Sequence, residues 1–146
     1  MGLEQNGIWP VPDSFYKQFP VKGEPGSFWE NRGDRFHCGA DVYAPANSPV
    51  LAILRGKVLE VGVFTQPESI HYWNKTFYIL VETETGHFIK YAELGSVKVK
   101  KGDVVNAGEK IGSVGQVLNP ILITEKDPLY IQALKTKSNN AMLHLE

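Results

Sequence analysis

The sequence predicts an all-β domain built from short antiparallel strands. Glycine and proline account for 14 and 9 of the 146 residues. They are spread along the chain and divide it into short segments, as is typical of all-β proteins. Several of these segments are rich in β-branched and aromatic residues, and Thr76–Glu82 is the clearest of them. No segment has the 3.6-residue apolar period of an amphipathic helix.

The composition is that of one globular domain. Hydrophobic residues make up 42% and charged residues 21% of the chain, which excludes a wholly disordered protein. The balance of 15 basic and 16 acidic residues argues against a nucleic-acid partner. No apolar run reaches the roughly 18 residues of a membrane span, and the first ten residues lack the regions of a secretory signal. The single cysteine, Cys38, excludes an intrachain disulfide and a Cys-rich zinc module.

Prolines and glycines interrupt every apolar cluster of the first 34 residues. We expect residues 1–34 to form an arm or loop that packs on the domain through its aromatic side chains. Residues 35–135 are expected to form the β domain, and residues 136–146 a C-terminal tail. The aromatic side chains expected to make the contact are Trp9, Phe15, Phe19, Phe28 and Trp29.

Strands are predicted in order along the β domain. Val50–Leu54 is a short apolar run, and Lys57–Phe64 alternates valines around a glycine. Thr76–Glu82 and His87–Leu94 are joined by a turn at Gly86 and indicate an antiparallel hairpin.

The last third of the chain is predicted to contain further short strands and one helical turn. Val104–Val105 and Lys110–Gly112 are brief apolar strands next to glycine turns. Leu129–Leu134 (LYIQAL) is predicted as the last strand, and Ala141–Leu145 as a frayed turn of helix.

The segment RFHCGADVYAP, from Arg35 to Pro45, resembles the R-x-H-x-G-x-D-x-x-A-P motif of the LytM/lysostaphin-type zinc metalloendopeptidases, a peptidoglycan peptidase family. Further blocks of that family follow in order over about residues 8–134. The resemblance implies the LytM-type fold, a barrel-sandwich hybrid (duplicated hybrid motif) with a central antiparallel sheet and a smaller facing sheet. The further blocks are Trp9–Pro12, Pro49–Val50, Gly56–Val58, Tyr91–Leu94, Lys101–Val104 and Ala107–Gly112.

The resemblance also implies a zinc site. In the family, zinc is held by the histidine and aspartate of H-x-G-x-D and by the second histidine of a late H-x-H strand. Here His37 and Asp41 match the first two ligands. In a straight strand they would lie about 13 Å apart, whereas ligands of one ion lie roughly 3 Å apart. The chain must therefore bend between them, at Gly39. A His–Asp hydrogen bond without metal is the alternative.

The remaining site positions of the family are predicted to be altered. The family's H-L-H-F-E aligns with Pro128–Gln132, which places Pro128 and Tyr130 where the two histidines stand. Proline offers no side-chain donor, base or ligand, and a phenol with a pKa near 10 is a poor ligand. Glu93 replaces the histidine of the Y-x-H-L block. We therefore expect a partial metal site of His37 and Asp41, with zinc bound weakly or not at all.

Two functions follow from this pattern. The first is a catalytically degenerate family member, a module that binds a cell-wall peptide or regulates a partner wall hydrolase. The second is an active zinc metalloendopeptidase that cleaves peptidoglycan cross-links, with Glu93 as the base and Tyr130 as a ligand or oxyanion donor. Either function implies an extracytoplasmic location, in the periplasm or cell envelope, because the family's substrates lie there.

Other residues offer weaker alternatives. His71, His87 or His144 could supply a missing ligand if the fold brought one of them back to the site. Cys38 is expected to be a small buried residue rather than a ligand. The glycine-rich block at 101–112 also occurs in biotinyl and lipoyl carrier domains, but the tripeptides that carry the modified lysine are missing here.

Overall fold

The computed structural model describes residues 7–31, 36–135 and 140–146. The described residues form one eight-stranded antiparallel sheet, which confirms the predicted all-β class. One short helix, α1 (Leu129–Leu134), and a 3-10 turn over Pro120–Leu122 accompany it. The strands are β1 (Ala40–Tyr43), β2 (Pro49–Leu51), β3 (Gly56–Thr65), β4 (Thr76–Thr83), β5 (Phe88–Val97), β6 (Val104–Val105), β7 (Lys110–Gln116) and β8 (Ala141–Leu145).

The sheet order is β1-β8-β7-β5-β4-β3-β6, and β2 pairs with β7. Strand β8 also pairs with β5, so the C-terminal strand lies against three others. The main core lies on the apolar side of these strands, around the fully buried side chains of Tyr91, Ile79 and Leu143. A smaller cluster forms where Ile131 of α1 packs with Tyr72, Leu118 and Ile123.

The central strands agree with the sequence-based prediction. The predicted strand over Lys57–Phe64 corresponds to β3, and the predicted hairpin corresponds to β4 and β5 with its turn at Gly86. Alternating valines and aromatic residues are typical of a strand that packs on one face, which explains why these elements were predictable.

Two predictions near the C-terminus are wrong. Leu129–Leu134 is helix α1 rather than the last strand. It follows Pro128, a residue suited to a helix start, and buries only Ile131. Ala141–Leu145, assigned to a helical turn within a C-terminal tail, is strand β8. Its alternate residues Ala141, Leu143 and Leu145 are buried in the core, which is the period of a strand.

The N-terminal arm packs differently from the prediction. Val11 is fully buried in the core and Trp9 packs against it half-buried. The other four aromatic side chains expected to make the contact are exposed: Phe15, Phe19, Phe28 and Trp29. None of the helices in the described part of the chain has the length and apolar character needed to span a bilayer. Arg35, the first residue of the R-x-H-x-G-x-D-x-x-A-P motif, lies outside the described residues.

Candidate metal centre

Three buried side chains meet at one point of the sheet: His37, Asp41 and His144. Nε2 of His37 lies 3.0 Å from Oδ1 of Asp41 and 3.1 Å from Nδ1 of His144. Nδ1 of His144 lies 2.9 Å from the same Asp41 oxygen. Two imidazole nitrogens and a carboxylate oxygen therefore form a nearly equilateral triangle.

The N-terminal arm holds His37 in place. The backbone N–H of His37 donates to the Glu30 carbonyl (2.9 Å), and the His37 carbonyl accepts from Trp29 N–H (2.6 Å). On the ring, Nδ1 lies 2.8 Å from the Ser27 carbonyl. Because a carbonyl only accepts, Nδ1 carries the proton, and the lone pair of Nε2 points at the cluster.

Asp41 reaches the cluster through a bend at Gly39, as the spacing of the motif predicted. Its backbone N–H donates to the carbonyl of Gly26 (2.9 Å). Gly39 also permits a close approach of β8. A Cβ at this position would overlap the Leu145 carbonyl oxygen and lie 2.7 Å from Cε1 of His144. The glycine of H-x-G-x-D therefore makes room for the third member of the triangle.

The pairing of β8 with β1 places His144, from the C-terminal end of the chain, in the cluster. Strand β8 runs antiparallel to β1, and His144 lies directly opposite Asp41 in the register. Directly opposite residues have neighbouring side chains on one face of the sheet. The long-range pairing thus places the His144 ring beside the Asp41 carboxylate.

The second ring nitrogen of His144 also has a partner. Nε2 lies 3.0 Å from Oε1 of Glu146, which fixes Nε2 as the protonated nitrogen in the neutral ring. Burial lowers the pKa of His144, but hydrogen bonds to Asp41 and Glu146 and the charges of Asp41 and Glu93 outweigh it. The pKa of His144 is therefore raised above its ordinary value. Because an imidazole binds a metal ion in its neutral form, protonation and metal binding compete at this ring.

The three residues fit a zinc ion. Ligand atoms about 2.0–2.1 Å from a tetrahedral ion lie roughly 3.3 Å apart, close to the 2.9–3.1 Å sides of the triangle. Both ring nitrogens that face away from the triangle have hydrogen-bond acceptors, the arrangement usual for metal-binding histidines. Three protein ligands leave a fourth position open, as in catalytic rather than structural zinc sites.

Glu93 lies next to this cluster on β5. It has a positive φ of 61°, a conformation that costs a non-glycine residue energy and concentrates at functional sites. The register of β5 against β4 shifts by one residue at this point, so the strand bulges at Glu93. Oε2 of Glu93 is buried, and the residue's charge acts on His144.

The pairing of β8 with β1 also brings Met142 to the same face of the sheet as His144. It lies two positions before His144, so both side chains project from the same face of β8. The family's H-x-H therefore corresponds to Met142–Leu143–His144, and the alignment with Pro128–Gln132 is wrong because that segment forms α1. In this alignment His144 stands at the position of the ligand histidine, and Met142 stands at the position of the first histidine.

The other sequence-based candidates lie elsewhere. Tyr130 is on α1 with 49% of its surface exposed, and within the described residues no hydrogen bond joins it to the cluster. His71 contacts Asp127 at 3.1 Å and His87 contacts Thr85 at 2.8 Å, both on the surface. Cys38 is exposed rather than buried, contrary to expectation, and its thiol donates to Glu146 at 3.1 Å.

His144 is the site residue to which the sequence analysis gave too little weight. Two signals could have identified it. The segment AMLHLE keeps the L-H-x-E end of the family's H-L-H-F-E motif, and its apolar residues alternate as in a strand.

Comparisons with known proteins identify the family of this chain. The model of peptidase family M23 matches residues 35–141, more than two thirds of the chain. A search of curated proteins found no match. Among solved structures, the catalytic domain of the antimicrobial peptidase lysostaphin from Staphylococcus simulans is similar with a TM-score of 0.53 and 24% identity, over 82% of this chain and 72% of that one.

Two longer proteins are also similar. A zinc-containing peptidase from Vibrio cholerae gives a TM-score of 0.56 and 25% identity, over 94% of this chain and 35% of that one. A putative M23 peptidase from Pseudomonas aeruginosa gives 0.55 and 20%, over 97% of this chain and 44% of that one. This chain thus spans less than half of these two proteins. The family match and the shared fold confirm the resemblance to LytM/lysostaphin-type peptidases, and the chain belongs to peptidase family M23.

Proposed function

We propose that this chain is a zinc-dependent endopeptidase domain that acts on peptide cross-links of peptidoglycan. The observation that carries the proposal is the buried triangle of His37, Asp41 and His144, whose three ligand atoms lie 2.9–3.1 Å apart. When bound there, zinc supplies a Lewis acid that polarises the scissile carbonyl and activates a water molecule. An extracytoplasmic location follows from this substrate.

In this proposal, Glu93 transfers the proton from the attacking water to the leaving amine. Of the two family positions that handle protons, one carries Glu93 and the other Met142, whose thioether is only a weak acceptor. The bulge and positive φ at Glu93 turn its side chain from the regular strand direction. Glu93 accepts a proton from the attacking water and returns it to the leaving amine, as a general base and acid.

Exposed aromatic rings border the same site. Trp29 and Phe36 stack with centroids 5.1 Å apart and an interplanar angle of 4°, and Phe28 lies 5.6 Å from Trp29. Phe36 precedes His37, and Trp29 is hydrogen-bonded to the His37 carbonyl. These rings offer an apolar surface for a substrate beside the metal.

The test combines metal analysis with cleavage of purified peptidoglycan peptides. We expect one zinc ion per chain and chelator-sensitive cleavage. Glu93→Gln should keep zinc but lower kcat by roughly 10²–10⁴. Glu84→Gln is the matched control, because Glu84 pairs with Arg55 on the surface. Wild-type activity in Glu93→Gln would refute the role of Glu93, and zinc-free wild-type protein would refute the proposal.

A second candidate is a module that binds a wall peptide or a partner wall hydrolase without cleaving it. Met142 favours this second candidate, because a thioether at the first position of H-x-H cannot donate or accept a proton as a histidine does. The same experiment separates the two candidates. Zinc-loaded protein that retains wall fragments but leaves their peptides intact would establish the second.

A further inference from the structure

The carboxylate of Glu146 is the centre of a small hydrogen-bond network outside the metal triangle. Its Oε1 lies 3.0 Å from Nε2 of His144 and 3.1 Å from the thiol of Cys38. One oxygen therefore accepts two hydrogen bonds, one of them from the His144 ring. This oxygen therefore links the segment just before β1 with the ligand ring on β8.

Glu146 is itself held from several directions. Its backbone N–H donates to the Lys90 carbonyl at 3.1 Å, and its carbonyl accepts from Lys90 N–H at 2.9 Å. The ammonium of Lys90 lies 3.8 Å from Oε2 of Glu146, and it sits over the rings of Phe64 and Tyr78. The carboxylate therefore has a defined position before any metal binds.

We propose that Glu146 is a positioning residue for the zinc ligand His144, an inference that rests on the proposed zinc site. By accepting a hydrogen bond from Nε2–H, Glu146 keeps Nδ1 free as the ligand atom and sets the rotation of the ring. A ring without this partner could turn and present Nε2 to the cluster instead of Nδ1, the nitrogen that now faces His37 and Asp41. Carboxylate partners of this kind raise the basicity of a histidine ligand and fix its tautomer.

Cys38 has a subordinate part in this arrangement. Its thiol is a weak donor and occupies a second lone pair of Oε1, which steadies the carboxylate without touching the ligand ring. Lys90 and the backbone pair hold Glu146 independently of the thiol. Removing the thiol should therefore have a much smaller effect than removing the carboxylate.

The test measures zinc affinity by competition with a chelating dye, for the full chain and four variants. Glu146→Ala should weaken zinc binding by about 10–100-fold, and Glu146→Gln, which keeps an acceptor oxygen, should restore part of the loss. Cys38→Ala and the distant surface variant Glu84→Ala should stay close to wild type. Circular dichroism and thermal melting of the metal-free proteins check that every variant is folded.

A spectroscopic measurement distinguishes positioning from general stability. In long-range proton–nitrogen spectra of the zinc-loaded protein, we expect His144 to bind through Nδ1 with Nε2 protonated, and Glu146→Ala to show a mixture of ring forms. Wild-type affinity and a single Nδ1-bound form in Glu146→Ala would overturn the inference and leave the proposed function intact. Wild-type protein that binds zinc but cleaves nothing would refute only the proposed activity, and wild-type protein that binds no zinc would refute both.

Discussion

Replacing Gly39 by alanine tests whether the close approach of β8 to the H-x-G-x-D segment builds the metal centre. The added methyl group would overlap the Leu145 carbonyl oxygen and lie 2.7 and 2.8 Å from Cε1 and Nε2 of His144. Ordinary contacts between such atoms are about 3.5–4.0 Å long. Strand β8 must therefore withdraw from β1 by roughly 1 Å, and His144 moves with it.

The expected cost has two parts. Forcing a methyl group into a packed position destabilises a fold by about 1–3 kcal/mol, which lowers Tm by roughly 3–10 °C in a chain of this size. A shift of about 1 Å also breaks a metal–ligand bond of about 2 Å. A structural zinc site binds with about 10–16 kcal/mol over four ligands, so one lost ligand weakens binding by on the order of a hundredfold.

The assay compares urea denaturation and zinc competition titrations of wild type, Gly39→Ala and Gly86→Ala. Gly86 has a φ of +84° and nothing within 4 Å of an added Cβ, so its substitution carries a backbone cost of about 1 kcal/mol without a collision. We expect both variants to lose stability but only Gly39→Ala to lose zinc affinity. Wild-type zinc affinity in Gly39→Ala would refute the idea that the close approach of β8 at Gly39 builds the metal centre.

Three further predictions follow from the site and the core. His144→Ala should abolish tight zinc binding and Tyr130→Phe should leave it unchanged; equal effects in a zinc titration would contradict the assignment of the third ligand. Zinc at 100 times its dissociation constant should stabilise the fold by about 2.7 kcal/mol and raise Tm by roughly 5–10 °C, and a chelator should reverse this in a thermal melt. Burial raises the pKa of the Tyr91 phenol to about 12 from 10.0. The neutral phenol therefore contributes fully to the free energy of unfolding below pH 10. Up to about 2–3 kcal/mol of that free energy is lost as the pH rises from 10 through 12. Tyr91→Phe leaves the Ile53 N–H without its acceptor and should lower the free energy of unfolding by about 1–3 kcal/mol at pH 8. In urea titrations the difference between this variant and wild type should be smaller at pH 11. The same difference at both pH values would contradict the raised pKa of Tyr91.

Local pattern was sufficient to predict the middle of the fold. The strands β3, β4 and β5 are rich in valine and aromatic residues, and a short turn joins β4 to β5, so each strand is specified by its own residues. The predicted bend at Gly39 was likewise a local inference, because the His37–Asp41 spacing cannot reach one ion without it. The structure places the bend there.

The C-terminal part could not be predicted in the same way. The segment Leu129–Leu134 mixes residues that suit either a helix or a strand, and its helix is decided by packing of Ile131 on a small satellite cluster. The segment Ala141–Leu145 has few β-branched residues, and its strand depends on pairing with β1, about 100 residues earlier, and with β7 and β5. Such non-local pairing overrides local propensity.

In the proposed site, the residues that would hold a metal ion are separate from those that would move protons. The triangle is fixed by the β1–β8 register, by the gap at Gly39 and by the acceptors on Ser27 and Glu146. None of these depends on the side chains of Glu93 or Met142. Substitution at the two proton-handling positions can therefore change the chemistry of the site while the ligand geometry stays the same. A family member with this sequence should bind zinc whichever of the two functions it performs, so metal content alone cannot decide between them and peptide cleavage must.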